Sequence, residues 1–341
     1  MNRKDFLISS AALATTTHRA LIQTPIEEDE AIPSVIPPYL KKGDTIGITA
    51  PAGHITLEEI QPAMQRIESW GYRVRVGDTI GKKDFTFGGT DDERREDFQK
   101  MLDDPKIKTI LSARGGYGSI RIVDRLQWDK FRTHPKWIVG FSDLTVIHSV
   151  LNRRFNIASI HSKMCNSFPD DWSMAEPIQV ETIESINKAL SGKKMQYEVT
   201  PNTNNRLGIA KGVLVGGNLK TLETMAGTSS DLITAGKILF VEDAGEYLYS
   251  IDRMFWNLKR TGKLSKLAGL IVGGFRIKTD AETEDFGKTL EQVVMEKIEN
   301  VRYPVCFDFP VGHQKNNFAL KCGMRHELDV NLANCTLTEL R

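Results

Sequence analysis

The chain is poor in cysteine, in surplus charge and in long apolar runs, and each shortage removes a class of protein. Four cysteines stand at 165, 306, 322 and 335 with no CxxC pair. That spacing excludes a zinc ribbon and a small disulfide-stapled fold. Cys306 and Cys322 could pair only after export to an oxidising compartment, and we expect them to be free. Lys and Arg total 45 against 44 Asp and Glu, a formal net charge of +1. A balance that even gives no electrostatic reason to expect nucleic acid or an anionic membrane as partner. No apolar run approaches the ~20 residues needed to cross a bilayer, so no membrane-spanning segment is expected. The glycine-rich stretch Arg114-Gly115-Gly116-Tyr117-Gly118 lacks the G-x-G-x-x-G order and any Gly-Lys-Ser/Thr. A dinucleotide or P-loop reading is therefore weak, and we expect neither cofactor nor metal.

What is present is enough chain for two cores, since 341 residues exceed one ordinary domain. Residues 1–17 combine Arg3 and Lys4, an apolar or small stretch, and a small-x-small site at Ala12-Leu13-Ala14. This pattern reads as an export leader and places the protein in the periplasm or outside the cell, with the cytoplasm as the alternative. Residues 18–40 are acidic and proline-punctuated, as in a tether. The folded body divides into 41–165, an interdomain crossing over 166–206, and 207–341.

Within the first part, short β-rich runs alternate with helical periodicity. Strands are expected over 45–50, 72–76, 108–113, 137–139 and 155–160, with helices over 58–70, 91–102 and 120–126. Strands alternating with helices imply a parallel sheet covered on both faces, with function at the carboxyl ends of its strands. The second part repeats the alternation. Strands are expected at 210–215, 237–241, 267–273 and 305–309, and helices at 219–225, 251–258 and 286–298, with a separate helix at 178–190 in the crossing. Gly216-Gly217-Asn218 reads as a turn.

Ser142 follows the apolar run Trp137-Ile138-Val139 and precedes Leu144, Ile147, His148 and Leu151 at helical spacing. A strand-to-helix turn lifts a side chain out of the sheet beside the free N–H groups of the helix start. A hydroxyl there can attack a carbonyl, or Ser142 and Asp143 can simply cap the helix. The adjacent glycines of 114–118 can turn N–H groups toward an anionic oxygen or can form a tight turn only. A serine nucleophile needs a base, and the base needs an acid to orient it. His313, beside Gly312 after a strand, is the best-placed base, with His161 at another strand end second. Glu242, following the most apolar strand, is the leading acid, with Asp243 and Glu246 as competitors. His148 is expected to pack on its helix.

Arg114 to Gly118, Gly140-Phe141-Ser142-Asp143, Gly216-Gly217-Asn218-Leu219, Glu242-Asp243 with Ile251-Asp252-Arg253-Met254, and Gly312-His313 with Asn317 occur in register. Together they resemble the murein LD-carboxypeptidase family of serine peptidases, from about Lys41 to the C-terminus. The resemblance implies an α/β fold: an N-terminal parallel-sheet domain like a class I amidotransferase and a smaller C-terminal α/β domain. It implies a triad of Ser142, Glu242 and His313 and an oxyanion hole from the backbone N–H groups of Gly116 and Asp143. It further implies a homodimer and a metal-free serine carboxypeptidase that cuts an L,D amide bond. The substrate so implied is a murein tetrapeptide, which would lose its terminal D-alanine. The family also contains microcin C immunity proteins, so an amidase acting on peptidyl-nucleotides is an alternative, for which Trp172 would be a base-stacking aromatic. A non-catalytic ligand-binding protein is a third reading, and it requires that the three side chains fail to converge.

Two segments depart from the family pattern. His161-Ser162-Lys163-Met164 stands where His-Gly-Pro-Met is common, and Ala319-Leu320-Lys321-Cys322-Gly323 where Leu-Pro-Leu-Gly is usual. Both are expected near the substrate cleft.

Overall fold

The computed structural model describes residues 34–279 and 286–340. The leader-like start and most of the tether lie outside them. These described residues form one compact unit. Ser34 to Leu40 bonds to its body: Val35 N–H donates to Asn156 O at 2.8 Å, and Pro38 O accepts from Trp137 Nε1 at 3.1 Å.

The strands are β1 (Thr45–Thr49), β2 (Arg73–Val76), β3 (Ile107–Ser112), β4 (Trp137–Gly140), β5 (Ser159–His161), β6 (Gln196–Val199) and β7 (Gly208–Asn218). They continue with β8 (Ile238–Ala244), β9 (Gly269–Arg276), β10 (Val305–Cys306), β11 (Leu320–Cys322), β12 (Arg325–Val330) and β13 (Cys335–Glu339). They form a six-stranded sheet, β11-β5-β4-β3-β1-β2, and a seven-stranded sheet, β10-β9-β8-β7-β12-β13-β6. The first is parallel except for β11, which runs antiparallel to β5. In the second, β10, β9, β8 and β7 are parallel neighbours and the remaining pairs are antiparallel. The expected parallel sheet thus holds for the first half, while the second sheet is mixed.

Alternate residues of the first sheet face opposite cores. Ile48, Leu111, Val139 and Ile160 pack with the helices Leu57–Ser69 and Pro177–Leu190, whereas Ile110 and Ile138 pack with Phe98, Met101, Ile147 and Val150. Burial on both faces is why these strands read as continuous apolar runs. The flanking helices start where the sequence provides reciprocal caps, Thr56 with Glu59 and Thr90 with Glu93. In the second sheet Leu239, Val241, Leu270 and Val272 meet Ile251, Met254, Phe255 and Leu258 of the helix Leu248–Arg260. The residues between them, including Ile238, Phe240 and Ile271, share a core with Leu328, Val330 and Leu337 of the C-terminal hairpin.

Several expected boundaries move. The helix expected over 120–126 is Ser119–Ile122 followed by a tight turn, Val123–Arg125. The strand expected over 155–160 is shortened to Ser159–His161, because a wide helical turn (Leu151–Phe155) and Asn156 at φ 52° intervene. Gly216 to Asn218 belongs to β7, and Glu242 and Asp243 lie inside β8 rather than beyond it.

Candidate active site

Ser142 occupies the turn after β4 with φ 61°, ahead of the helix Thr145–Val150. A left-handed backbone costs a non-glycine residue roughly 1–3 kcal/mol, and the residue held in it lines the cleft. The space around it depends on a neighbouring glycine: a β-carbon on Gly115 would stand 3.3 Å from Ser142 Oγ.

Asp143 does more than the sequence suggests. Its carboxylate is buried and accepts from Ser119 N–H at 2.8 Å and Gly118 N–H at 3.3 Å. Burial pushes this carboxyl up from its usual range, and the same N–H groups act in the opposite sense. The side chain thereby ties the turn at Ser142 to the Arg114–Gly118 loop, whose Gly116 has φ 105° and lines the cleft. No spacing in the sequence announces this bond, because Asp143 and Ser119 are joined only through the fold.

Glu242 is fully buried in β8. Its Oε2 accepts from His313 Nδ1 at 2.5 Å, while Oε1 has no hydrogen-bond partner among the described residues. A carboxylate on Nδ1 makes that nitrogen the donor and leaves Nε2 as the basic one. Gly312 sets the approach: it has φ 101°, and its N–H donates to Asn317 Oδ1 at 2.8 Å. The Phe141 ring lies 4.9 Å from the His313 ring, centroid to centroid.

The competitors are engaged elsewhere. Asp243 accepts from Lys220 N–H at 2.8 Å and Asn218 Nδ2 at 3.1 Å, and burial raises its carboxyl to about 6. Glu246 accepts from Ser250 Oγ. His161 is fully buried, with ring centroids 5.7 Å from Phe141 and 5.0 Å from Phe240, and burial holds it well below the ordinary imidazole value. It is therefore neutral and shut away from solvent. His148 packs as expected, bonded to Ser159 Oγ and Gly140 O at 2.9 Å each.

Ser142, Gly116, Asp143 and His313 line one cleft of about 330 Å³, together with Tyr117, Asn218, Lys220, Asp243 and Glu246. The first sheet supplies the serine and the second supplies the acid–histidine pair. Thr145 joins them: its Oγ1 accepts from Asn218 N–H at 3.0 Å. Ser142 and His313 thus border the same cleft, and Glu242 is bonded to the histidine from behind.

Of the two segments that depart from the family pattern, only the first borders the site. Lys163 Nζ lies 5.8 Å from the Phe141 ring centroid and donates to Gln314 O at 2.6 Å. Lys321 is instead buried within β11, where it pairs with Glu339 at 2.9 Å, so that departure is structural. Trp172 lies under the Arg66 guanidinium at 4.2 Å and against Phe168, packed on the core rather than lining the cleft. The aromatic that lines the cleft is Tyr117. All four cysteines are free and buried, as expected, and no cluster of potential metal ligands occurs among the described residues.

The family model described as LD-carboxypeptidase N-terminal domain matches residues 46–162, and that described as LD-carboxypeptidase C-terminal domain matches 211–328. A probable murein peptide carboxypeptidase of Bacillus subtilis is 32% identical over 296 residues, which cover 85% of this chain and 90% of that protein. The murein tetrapeptide carboxypeptidase of Pseudomonas aeruginosa is 27% identical over 291 residues, covering 84% and 93% respectively. The crystal structure of muramoyltetrapeptide carboxypeptidase from Oxalobacter formigenes superposes with a TM-score of 0.77 at 27% identity, over 87% of this chain and 99% of that one.

Proposed function

Because the chain belongs to the LD-carboxypeptidase family of serine-type hydrolases, we propose that it releases the terminal D-amino acid, D-alanine, from murein tetrapeptides. The observation that carries this reading is the 2.5 Å bond between His313 and buried Glu242 at the cleft that Ser142 also lines. Ser142 Oγ attacks the carbonyl carbon of the L,D amide while His313 Nε2 takes its proton. The main-chain N–H groups of Gly116 and Asp143 hold the oxyanion of the tetrahedral intermediate. His313 then gives the proton to the departing amine, leaving an acyl-serine ester. A water, deprotonated by the same nitrogen, hydrolyses that ester and restores the hydroxyl. Glu242 keeps the imidazole in the tautomer that can do both and stabilises the imidazolium formed in between.

The reading includes a nucleophile domain over 41–165, a crossing over 166–206, and a C-terminal domain over 207–341 that carries Glu242 and His313. It also includes a homodimer and an exported enzyme. No helix among the described residues is long and apolar enough to cross a membrane. N-terminal sequencing of the mature protein checks export, with an intact Met1 end counting against it, and light scattering checks the dimer.

The decisive test is mass analysis of muropeptides incubated with the wild type and with Ser142→Ala. The wild type is expected to convert tetrapeptide to tripeptide and free D-alanine. The variant is expected to lose several orders of magnitude in turnover. Near-full activity without the serine hydroxyl would overturn the mechanism.

A further inference from the structure

A carboxypeptidase differs from an endopeptidase in what it does with a terminal carboxylate, and among the described residues the main cleft has no free cation to offer one. Of the residues that line it, Lys220 is the only lysine or arginine, and it is paired with Glu223 at 2.9 Å. Asp243 and Glu246 line the same space, which suits an ammonium or amide better than a carboxylate.

A second cleft, of about 270 Å³, opens beyond the His313–Lys315 segment and is lined by Lys163, Ser167, Glu176, Gln179 and Lys315. Lys315 is already paired with Glu176 at 2.6 Å. Lys163 is not paired: among the described residues no carboxylate lies in ion-pair contact with its ammonium, which donates to Gln314 O at 2.6 Å. An ammonium has three donors, so two are left for a ligand. Lys163 is half-buried, and burial lowers its affinity for the proton while the nearby Glu242 charge acts to retain it. An incoming anion would relieve that desolvation.

The position relative to the base is what gives this ammonium a task. Lys163 bonds the backbone of the residue directly after His313, and both Lys163 Nζ and the His313 ring lie against Phe141. On the proposed mechanism His313 protonates the departing amine, so the leaving residue must sit beside that imidazole. In an α-amino acid the carboxylate carbon is two bonds from the amine nitrogen. We infer that Lys163 receives the carboxylate of the leaving D-amino acid in the cleft between Lys163 and Lys315, and so selects a chain end over an internal peptide bond. This assignment rests on the carboxypeptidase reading and adds the group that recognises the terminus.

The test compares one murein tetrapeptide ending in D-alanine with the same peptide ending in D-alaninamide, cut by the wild type, Lys163→Met, Lys163→Gln and Lys163→Arg. The readout is the ratio of kcat/KM for acid over amide, which cancels general damage to the enzyme. The wild type is expected to favour the acid. Lys163→Met and Lys163→Gln are expected to lower the ratio about tenfold to a hundredfold, the size of a charge-assisted bond, chiefly through KM for the acid. Lys163→Arg is expected to hold the ratio within a few-fold. A ratio unchanged in both neutral variants, or a wild type indifferent to the amide, would overturn the assignment while leaving the carboxypeptidase reading intact. A wild type that releases no D-alanine from the acid would overturn both.

Discussion

Gly312 and Glu242 are so close that a β-carbon on Gly312 would come within 2.8 Å of the Glu242 γ-carbon. The glycine also has φ 101°, a conformation that side-chain-bearing residues avoid. The bond between Glu242 and His313 therefore requires the absence of a side chain one residue before the histidine. Gly312→Ala is expected to lower kcat at least a hundredfold by moving the imidazole, with far-UV circular dichroism unchanged. Wild-type turnover in a folded Gly312→Ala protein would contradict the packing described.

Replacing Glu242 by Gln keeps its volume but removes the charge that fixes the histidine tautomer. A fall in kcat of about 10³–10⁴-fold is expected. Stopped-flow measurement with a chromogenic D-amino acid ester would detect it, and a fall of less than tenfold would deny Glu242 its orienting role.

Asp143 holds the Arg114–Gly118 loop through its side chain, so Asp143→Ala keeps the residue's own main-chain N–H while releasing the loop that carries Gly116. We expect kcat to drop about tenfold to a hundredfold and stability to fall by about 1–3 kcal/mol, the cost of leaving buried N–H groups unpaired. Paired kinetics and urea unfolding separate the two effects. Stability loss without loss of kcat would mean that the loop keeps its place unaided.

Thr145 tests the join between the sheets. Thr145→Val leaves the buried Asn218 N–H without its acceptor and should cost about 1–3 kcal/mol, whereas Thr145→Ser should cost much less. Equal losses in urea midpoint for both would show that the methyl group, not the hydroxyl, matters.

The pH response of stability has a defined sign at His326. Burial lowers this imidazole to about 4, and its Nδ1 bonds Met324 O at 3.0 Å. The unfolded chain takes up a proton there below about 6.5 and the native state does not. Stability from this site is therefore fully present above about 6.5 and is lost as pH falls toward 4, by at most about 1.4 kcal/mol per pH unit. His326→Gln cannot protonate, so its urea midpoint should decline less between pH 7 and 5 than that of the wild type. Parallel declines would refute the assignment.

Much of the site was legible because its parts sit where one chain segment hands over to another. Ser142 after a buried strand, Gly312-His313 after another and the glycines at 115 and 116 are local signals, readable without knowing the fold. Glu242 stood out by its place after the most apolar strand, but Asp243 and Glu246 offer the same chemistry a few residues away, and the family resemblance was needed to choose among them. Their different partners are a product of strand register: β8 turns Glu242 toward His313 and Asp243 toward Asn218. Burial on both faces also hid the end of β8, because six of its seven residues are buried and period-two alternation disappears. The C-terminal strands were missed for another reason. Pairing between Leu320 and His161 joins residues far apart in sequence, and no local pattern specifies so distant a neighbour.

That pairing has a consequence for anyone who would dissect the protein. Because β11 closes the edge of a sheet built from much earlier sequence, a fragment ending near residue 206 would lack its own border strand. Its β5 would present unsatisfied N–H and C=O groups to other molecules. Such a fragment should be recovered as aggregate when made alone, and should dissolve when the remainder of the polypeptide is produced in the same cell.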